Sequence, residues 1–446
     1  MKPTTVKTEK SAKEFFTSHA GHPLLGQALK IAQLETEAKK LGSYRGTPHS
    51  DVIATYLGLL ATGKSDFEAA EGVRGNEFFK HSLGISGILS SSRLRQRMDD
   101  NAMGYSRVLD ACTLNFLKRS KVTVTPLWTG HVPLDMDLFP QDNSRTKKEG
   151  VSYTYKGFVG YGVMAAYLGR EGWCLTTDLK HGSENGQLGF GFVLDRILPV
   201  ARALTTSELL LRLDSGHDSI ENRVRADKEE IDFIIKWNPR KHKAEDWFNV
   251  AEQQGHIADW ENPRPGKQVV TSSHFLTVTE NGVEHTHRLV VRVIKRTIDS
   301  QGRGLIFPEY QMDGWWTSLE LADRHIIALY RDHATSEQFH GEYKTDMDLE
   351  RLPSGKFETN TLVMVMGTFV YNVLRWIGLE GLIGGDSPVR HQAKRRRIRT
   401  VMQELYNIAG KVYCRSRQLW LRFSANFKGY EAYEKVHHRM MAIASG

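Results

Sequence analysis

The sequence predicts an α/β protein in which a mixed sheet with helices is interrupted by a β-rich insertion. A helical domain precedes it and a helical, basic region follows. Three observations predict this class. Apolar residues recur at helical spacing up to about residue 120, strand and helix patterns alternate from about 121 to 237, and a β-rich pattern with proline-marked loops occupies 238–312 before helical periodicity returns. At 446 residues the chain is long enough for two to four structural units.

The elements follow in order. Leu24, Ala28, Ile31 and Leu34 define one face of a first helix, closed by Gly42. A second begins at a Ser50 N-cap and ends at Gly63, and Ser65 with Glu68 reads as a capping box. SSSRLRQRMDD opens another helix and carries Arg93, Arg95 and Arg97. In VPLDMDLF, Leu134, Met136 and Leu138 alternate with Asp135 and Asp137, which predicts a strand. YGVMAAYLG and WCLTTDLKHG continue as an antiparallel meander. A helix over NGQLGFGFVLDRILPVARAL, a buried parallel strand in ELLLRLDSG, a helix and the strand DFIIKW complete a β-β-β-α-β-α-β order. Asn281-Gly282 between two strand patterns predicts a hairpin inside the insertion. A long helix is expected over about 317–345, an apolar one over TNTLVMVMGTFVYNVLRWIGL, and one more in the arginine-rich 390–422.

Charge narrows the function classes. The net charge of +8 divides into +5 for residues 1–120, −7 for 121–389, +9 for 390–422 and +1 beyond. Two basic flanks around an acidic middle point to a polyanionic partner. Three dispersed cysteines, Cys112, Cys174 and Cys414, argue against a disulfide framework or a cysteine zinc site and predict a reducing cytosol. No membrane span and no secretory leader is expected, and the N-terminal stretch reads as a loose basic arm.

Asp137 and Asp214 would lie on neighbouring strands if the first and fourth strands pair. On the expected long helix, Tyr330, His333, Glu337 and Lys344 fall on one face. Glu337 against the two aspartates would make an all-oxygen site suited to Mg²⁺. Asp135 shares the face of Asp137 by parity and stays open as an alternative ligand.

With those motifs in place, the chain resembles an insertion-sequence transposase of the Asp-Asp-Glu, RNase H-like superfamily. The resemblance rests on DMDLFPQDNSRTKKEGVSYTYKGFVGYG, LLLRLDSGHDS and Y-x2-H-x3-E-x6-K, the last similar to the Tyr-Arg-Glu-Lys motif with His333 where arginine is usual. It implies an RNase H-like catalytic core. Asp137, Asp214 and Glu337 would be the catalytic ligands of two Mg²⁺ ions, with Mn²⁺ able to substitute. It further implies cut-and-paste transposition, with strand cleavage, a hairpin intermediate and strand transfer. Partners would be double-stranded DNA, both the element's inverted-repeat ends and the target, with a homodimer on paired ends and a place near the bacterial nucleoid. Tyr330, His333 and Lys344 would contact phosphates, and Trp315 or Trp316 would stack on a flipped base. The domains expected are 1–120 (DNA-binding), 121–237 (first part of the core), 238–312 (insertion), 313–380 (core helix with Glu337 and the helix after it) and 381–446 (basic C-terminal region). A non-catalytic DNA-binding regulator and an RNase H-like nuclease are the rival readings.

Further candidate DNA contacts are Arg93, Arg95 and Arg97, and Lys394, Arg395, Arg396 and Arg397 within RHQAKRRRIR, where six of ten residues are basic. The histidines lack zinc-ligand spacing. Gly189-x-Gly191 lacks the third glycine of a dinucleotide loop.

Overall fold

A computed structural model describes residues 7–446, apart from the side chains of 256 and 334–336. Its strands are β1 (Phe15–Thr17), β2 (Val132–Asp142), β3 (Ser152–Tyr153), β4 (Val159–Leu168), β5 (Trp173–His181), β6 (Leu209–Leu213), β7 (Asp232–Lys236), β8 (Asp259–Arg264), β9 (Lys267–Glu280), β10 (Val283–Ile298), β11 (Gly304–Thr317), β12 (Gly410–Arg415) and β13 (Gln418–Arg422). The chain divides into two units. One takes residues 1–122, 146–149 and 341–446, and the other takes 123–145 and 150–340.

The second unit is built on a mixed sheet. β4 lies between β5 and β2 and is antiparallel to both, β6 runs parallel to β2, and β7 runs parallel to β6. The crossovers are the helices Phe190–Leu204 and Ile220–Lys228. All five residues of β6 are buried, because a parallel strand with covered faces cannot alternate apolar with polar. The expected order of strands and helices is the one adopted, with the short β3 added. The insertion extends the same sheet. β11 pairs with β7, and β10, β9 and β8 follow outward. Asn281 and Gly282 both have positive φ at the β9–β10 turn, the conformation that the Asn-Gly pair predicts.

The first unit is mainly helical. Helix Phe357–Gly381 is long and apolar enough to cross a bilayer, yet its side chains are almost all buried within this unit. Phe369 and Trp376 pack at 6.0 and 6.4 Å from Phe116 of helix Ser91–Arg119. A small sheet joins β1, β12 and β13.

Several local expectations give way. The first helix breaks at Gln33, which has φ +58, into His22–Ile31 and Leu34–Lys39. Helix His49–Leu60 is preceded by Pro48, so Ser50 lies inside its first turn. Asp66 rather than Ser65 caps the turn Phe67–Ala70. Residues 317–345 form no single helix: Asp323–Arg331 is followed by a 3₁₀ turn, the helix Thr335–Gly341 and a π turn over Glu342–Asp346. The 390–422 segment is a loop, a short helix and the β12–β13 hairpin. Its charge run carried no apolar stripe to bury, and the arginines instead serve as donors to the surrounding chain. Of the expected loose arm, residues 1–6 lie outside the described residues, and Phe15–Thr17 is strand β1.

Candidate active site

Register brings the two aspartates together. Met136 pairs with Leu213 across the parallel β2–β6 ladder, so the next step places Asp137 beside Asp214, where the ladder ends. Burial and the neighbouring Asp214 charge push the Asp137 carboxyl well above the usual carboxylate range. Burial would raise Asp214 as well. Its hydrogen bond with His217 Nδ1 (2.6 Å), the His217 charge and the Gly216 amide outweigh that and hold it low. Two carboxylates that resist being charged together, both hard oxygen donors, fit a divalent cation.

Asp135 points to the same face and does something else. Arg212, its cross-strand partner on β6, donates from Nε and Nη2 to its two oxygens at 2.6 and 2.7 Å. His333 Nδ1 lies 3.1 Å from the same carboxyl. Burial would raise Asp135, but Arg212 and His333 outweigh it and hold it at about 2. Arg212 Nη1 also donates to Leu329 O, which ties helix Asp323–Arg331 to the sheet. Asp135 is thus engaged in a buried ion pair with Arg212.

Glu337 does not close into one cation-sized group with the two aspartates among the described residues. Its side chain is exposed on helix Thr335–Gly341, between two histidines that do reach the site's strand. His333 meets Asp135, and His340 Nδ1 lies 3.7 Å from Asp137 Oδ2. Tyr330, ring to ring with His333 at 5.6 Å, has its hydroxyl pKa raised by burial and by Asp214, Asp137 and Asp135. Lys344 belongs to the other unit and pairs with Glu350 at 3.1 Å. The four residues therefore do not share one helical face, because the helix changes pitch between them.

The other candidate DNA contacts divide by burial. Trp315 and Trp316 are 3% and 6% exposed. Lys236 lies over the Trp315 ring and Arg223 over that of Trp316, so neither offers an open face here. Arg97 is 2% exposed, donates to Thr47 O and packs on Tyr44, whereas Arg93 and Arg95 are exposed. Of the basic run, Arg395 pairs with Glu342, Arg397 with Asp346, and Arg396 donates to the carbonyls of Leu382, Val389 and His391; Lys394 is exposed.

Sequence reasoning missed Tyr155, Arg212, His217 and His340. Tyr155 donates its hydroxyl to Leu138 O, and burial with Asp137 and Asp214 pushes its pKa to about 12. His217 sits three residues after Asp214, a spacing visible in LDSGH, while the others depend on pairing across the fold. A further group able to hold a cation, His131, Glu208 and Asp232, lies at the opposite end of the strands, where β2, β6 and β7 begin. His131 Nε2 is 3.0 Å from Asp232 and 3.5 Å from Glu208.

Paired aspartates at the end of two parallel strands are hard oxygen donors of the kind that metal-assisted phosphodiester enzymes use. The family described as transposase DDE domain group 1 matches residues 6–445. The chain belongs to that family: it is a DDE transposase, an enzyme of metal-dependent DNA cleavage and strand transfer. Among solved structures, the cryo-EM structure of the piggyBac transposase synaptic complex with hairpin DNA is similar at 12% identity and a TM-score of 0.38. The match covers 79% of this chain and 74% of that one, a likeness too loose to place residues by. No curated protein matches the chain.

Proposed function

We propose that this transposase performs cut-and-paste transposition of an insertion sequence, with Asp137, Asp214 and Glu337 as its catalytic carboxylates. The observation that carries the reading is the Asp137–Asp214 pair at the end of the β2–β6 ladder, with the raised proton affinity of Asp137. The strand order β5-β4-β2-β6-β7, three antiparallel strands followed by two parallel ones, supports an RNase H-like core. Two Mg²⁺ ions, or Mn²⁺ in their place, would supply Lewis acidity and activation of water or a 3′-hydroxyl when bound. Glu337 would complete the ligand set by turning inward from its exposed position, guided by the contacts of His333 just before its helix and of His340 on it. His217 orients Asp214 through one oxygen and leaves the other for a ligand.

Duplex DNA at the inverted-repeat ends and at the target, a hairpin step and a dimer on paired ends complete the proposal. They are carried by the motif resemblance. In the same reading residues 1–120 and 381–446 grip DNA, and the chain works in the cytoplasm at the nucleoid. The test is Mg²⁺-dependent cleavage of end-bearing DNA by wild type and by Asp137→Ala, Asp214→Ala and Glu337→Ala. Loss in all three variants is expected. Equal cutting by all four proteins would overturn the assignment, and binding without cleavage by wild type would favour a regulator.

A further inference from the structure

The arginines that the basic run offered for DNA are bound by this protein's own groups, whereas the hairpin after them presents Arg415 and Arg417, which pair with no carboxylate among the described residues. β12, a two-residue turn and β13 read GKVYCRSRQLWLR, with four basic residues and no acidic one. Cross-strand register places Lys411 opposite Arg422, Tyr413 opposite Trp420 and Arg415 opposite Gln418, all on one face. The other face carries Val412, which is buried, and Leu421, which lies against Gly410. β1 pairs only with Gly410–Val412, so the rest of the hairpin stands out as a two-stranded ribbon.

The polar face is organised. Tyr413 and Trp420 are stacked at 6.4 Å, with Trp420 45% exposed. Arg422 lies over the Tyr413 ring and donates to its hydroxyl at 3.2 Å. Lys411 is paired with Glu14. Arg415 and Arg417 are exposed, and neither meets a carboxylate among the described residues. The turn adds an independent observation. Ser416 and Arg417 both have positive φ, at 52° and 63°, where Asn-Gly is the unstrained choice. Two non-glycine residues in that conformation make this a strained, exposed tip.

We propose that the β12–β13 ribbon is a duplex-DNA-binding surface, with Arg415 and Arg417 at its tip engaging the phosphate backbone and the Trp420–Tyr413–Arg422 ladder bracing it. A two-stranded ribbon has the width to enter a major groove, and guanidinium forks match phosphate oxygens. The proposal rests on the DNA-partnered reading above and adds a surface distinct from the run at 394–397.

The experiment measures full-length protein binding to an element-end duplex, a scrambled duplex and a single strand over a range of salt. Arg415→Ala/Arg417→Ala should weaken both duplexes about tenfold and reduce the slope of log affinity against log salt by about 1–2. Arg415→Lys/Arg417→Lys, which keeps the charge, should stay within about threefold of wild type. Wild type that binds while the alanine variant binds equally, with the same slope, overturns this surface alone. A loss confined to single-stranded DNA also overturns it. Wild type that binds no duplex overturns it together with the reading it rests on.

Discussion

Arg212 holds both oxygens of Asp135, at 2.6 and 2.7 Å, two register steps from the Asp137–Asp214 pair. The two aspartates of β2 therefore respond oppositely to loss of charge. Asp135→Asn strands a buried guanidinium and should cost about 3–5 kcal/mol. Asp137→Asn relieves repulsion with Asp214 and should leave stability unchanged or raise it by about 1 kcal/mol, while cleavage is abolished. Urea unfolding beside a DNA-cleavage assay separates the two. A destabilised Asp137→Asn with an intact Asp135→Asn would reverse the assignment.

His217 is 1% exposed, and its Nε2 is closed in by Gly186 without a hydrogen-bond partner. Among the described residues the one hydrogen bond of its ring is to Asp214, a geometry suited to orienting that carboxylate. His217→Ala should require about ten- to a hundredfold more divalent cation for half-maximal cleavage. A metal titration of cleavage rate tests it, and an unchanged midpoint would leave His217 a packing residue.

His22 is buried in the first unit, its Nδ1 2.9 Å from the Tyr406 hydroxyl, and burial followed by the nearby His19 lowers its pKa to about 3. The folded form thus binds fewer protons than the unfolded chain between about 3 and 6.5. Its contribution is complete above 6.5 and is lost as pH falls through that window, at roughly 1.4 kcal/mol per pH unit. Denaturant midpoints at neutral and mildly acidic pH should differ less for His22→Gln than for wild type. Equal acid sensitivity would show that His22 is not the group responsible.

Arg396 donates to three main-chain carbonyls, and Lys394 beside it is exposed. Arg396→Ala should cost about 2–3 kcal/mol by leaving those carbonyls unpaired, whereas Lys394→Ala should leave stability within about 0.5 kcal/mol. Thermal unfolding of both variants tests the split. A neutral Arg396→Ala would return that residue to the pool of DNA contacts.

Legibility in the sequence followed the range of the interactions. Strand order in the second unit and the Asn281-Gly282 hairpin were readable because period-two patterning and turn chemistry are local. The β12–β13 hairpin was not, since Ser416-Arg417 lacks the glycine or asparagine that marks such a turn. The choice between Asp135 and Asp137 also lay beyond a linear reading. It depends on Arg212, a residue 77 positions away that becomes a neighbour only through parallel pairing. The broken course of 323–346 escaped because spacing alone assumes one constant pitch, and this stretch passes through α, 3₁₀ and π geometry.

The insertion departs from β7 after Lys236 and comes back beside it at Trp315, and these two residues are paired with each other. A detour whose entrance and exit are stitched side by side can lengthen, shorten or change its surface without shifting the strands that carry Asp137 and Asp214. Changes of length or surface in this segment can therefore accumulate while the geometry of the Asp137–Asp214 pair stays as it is.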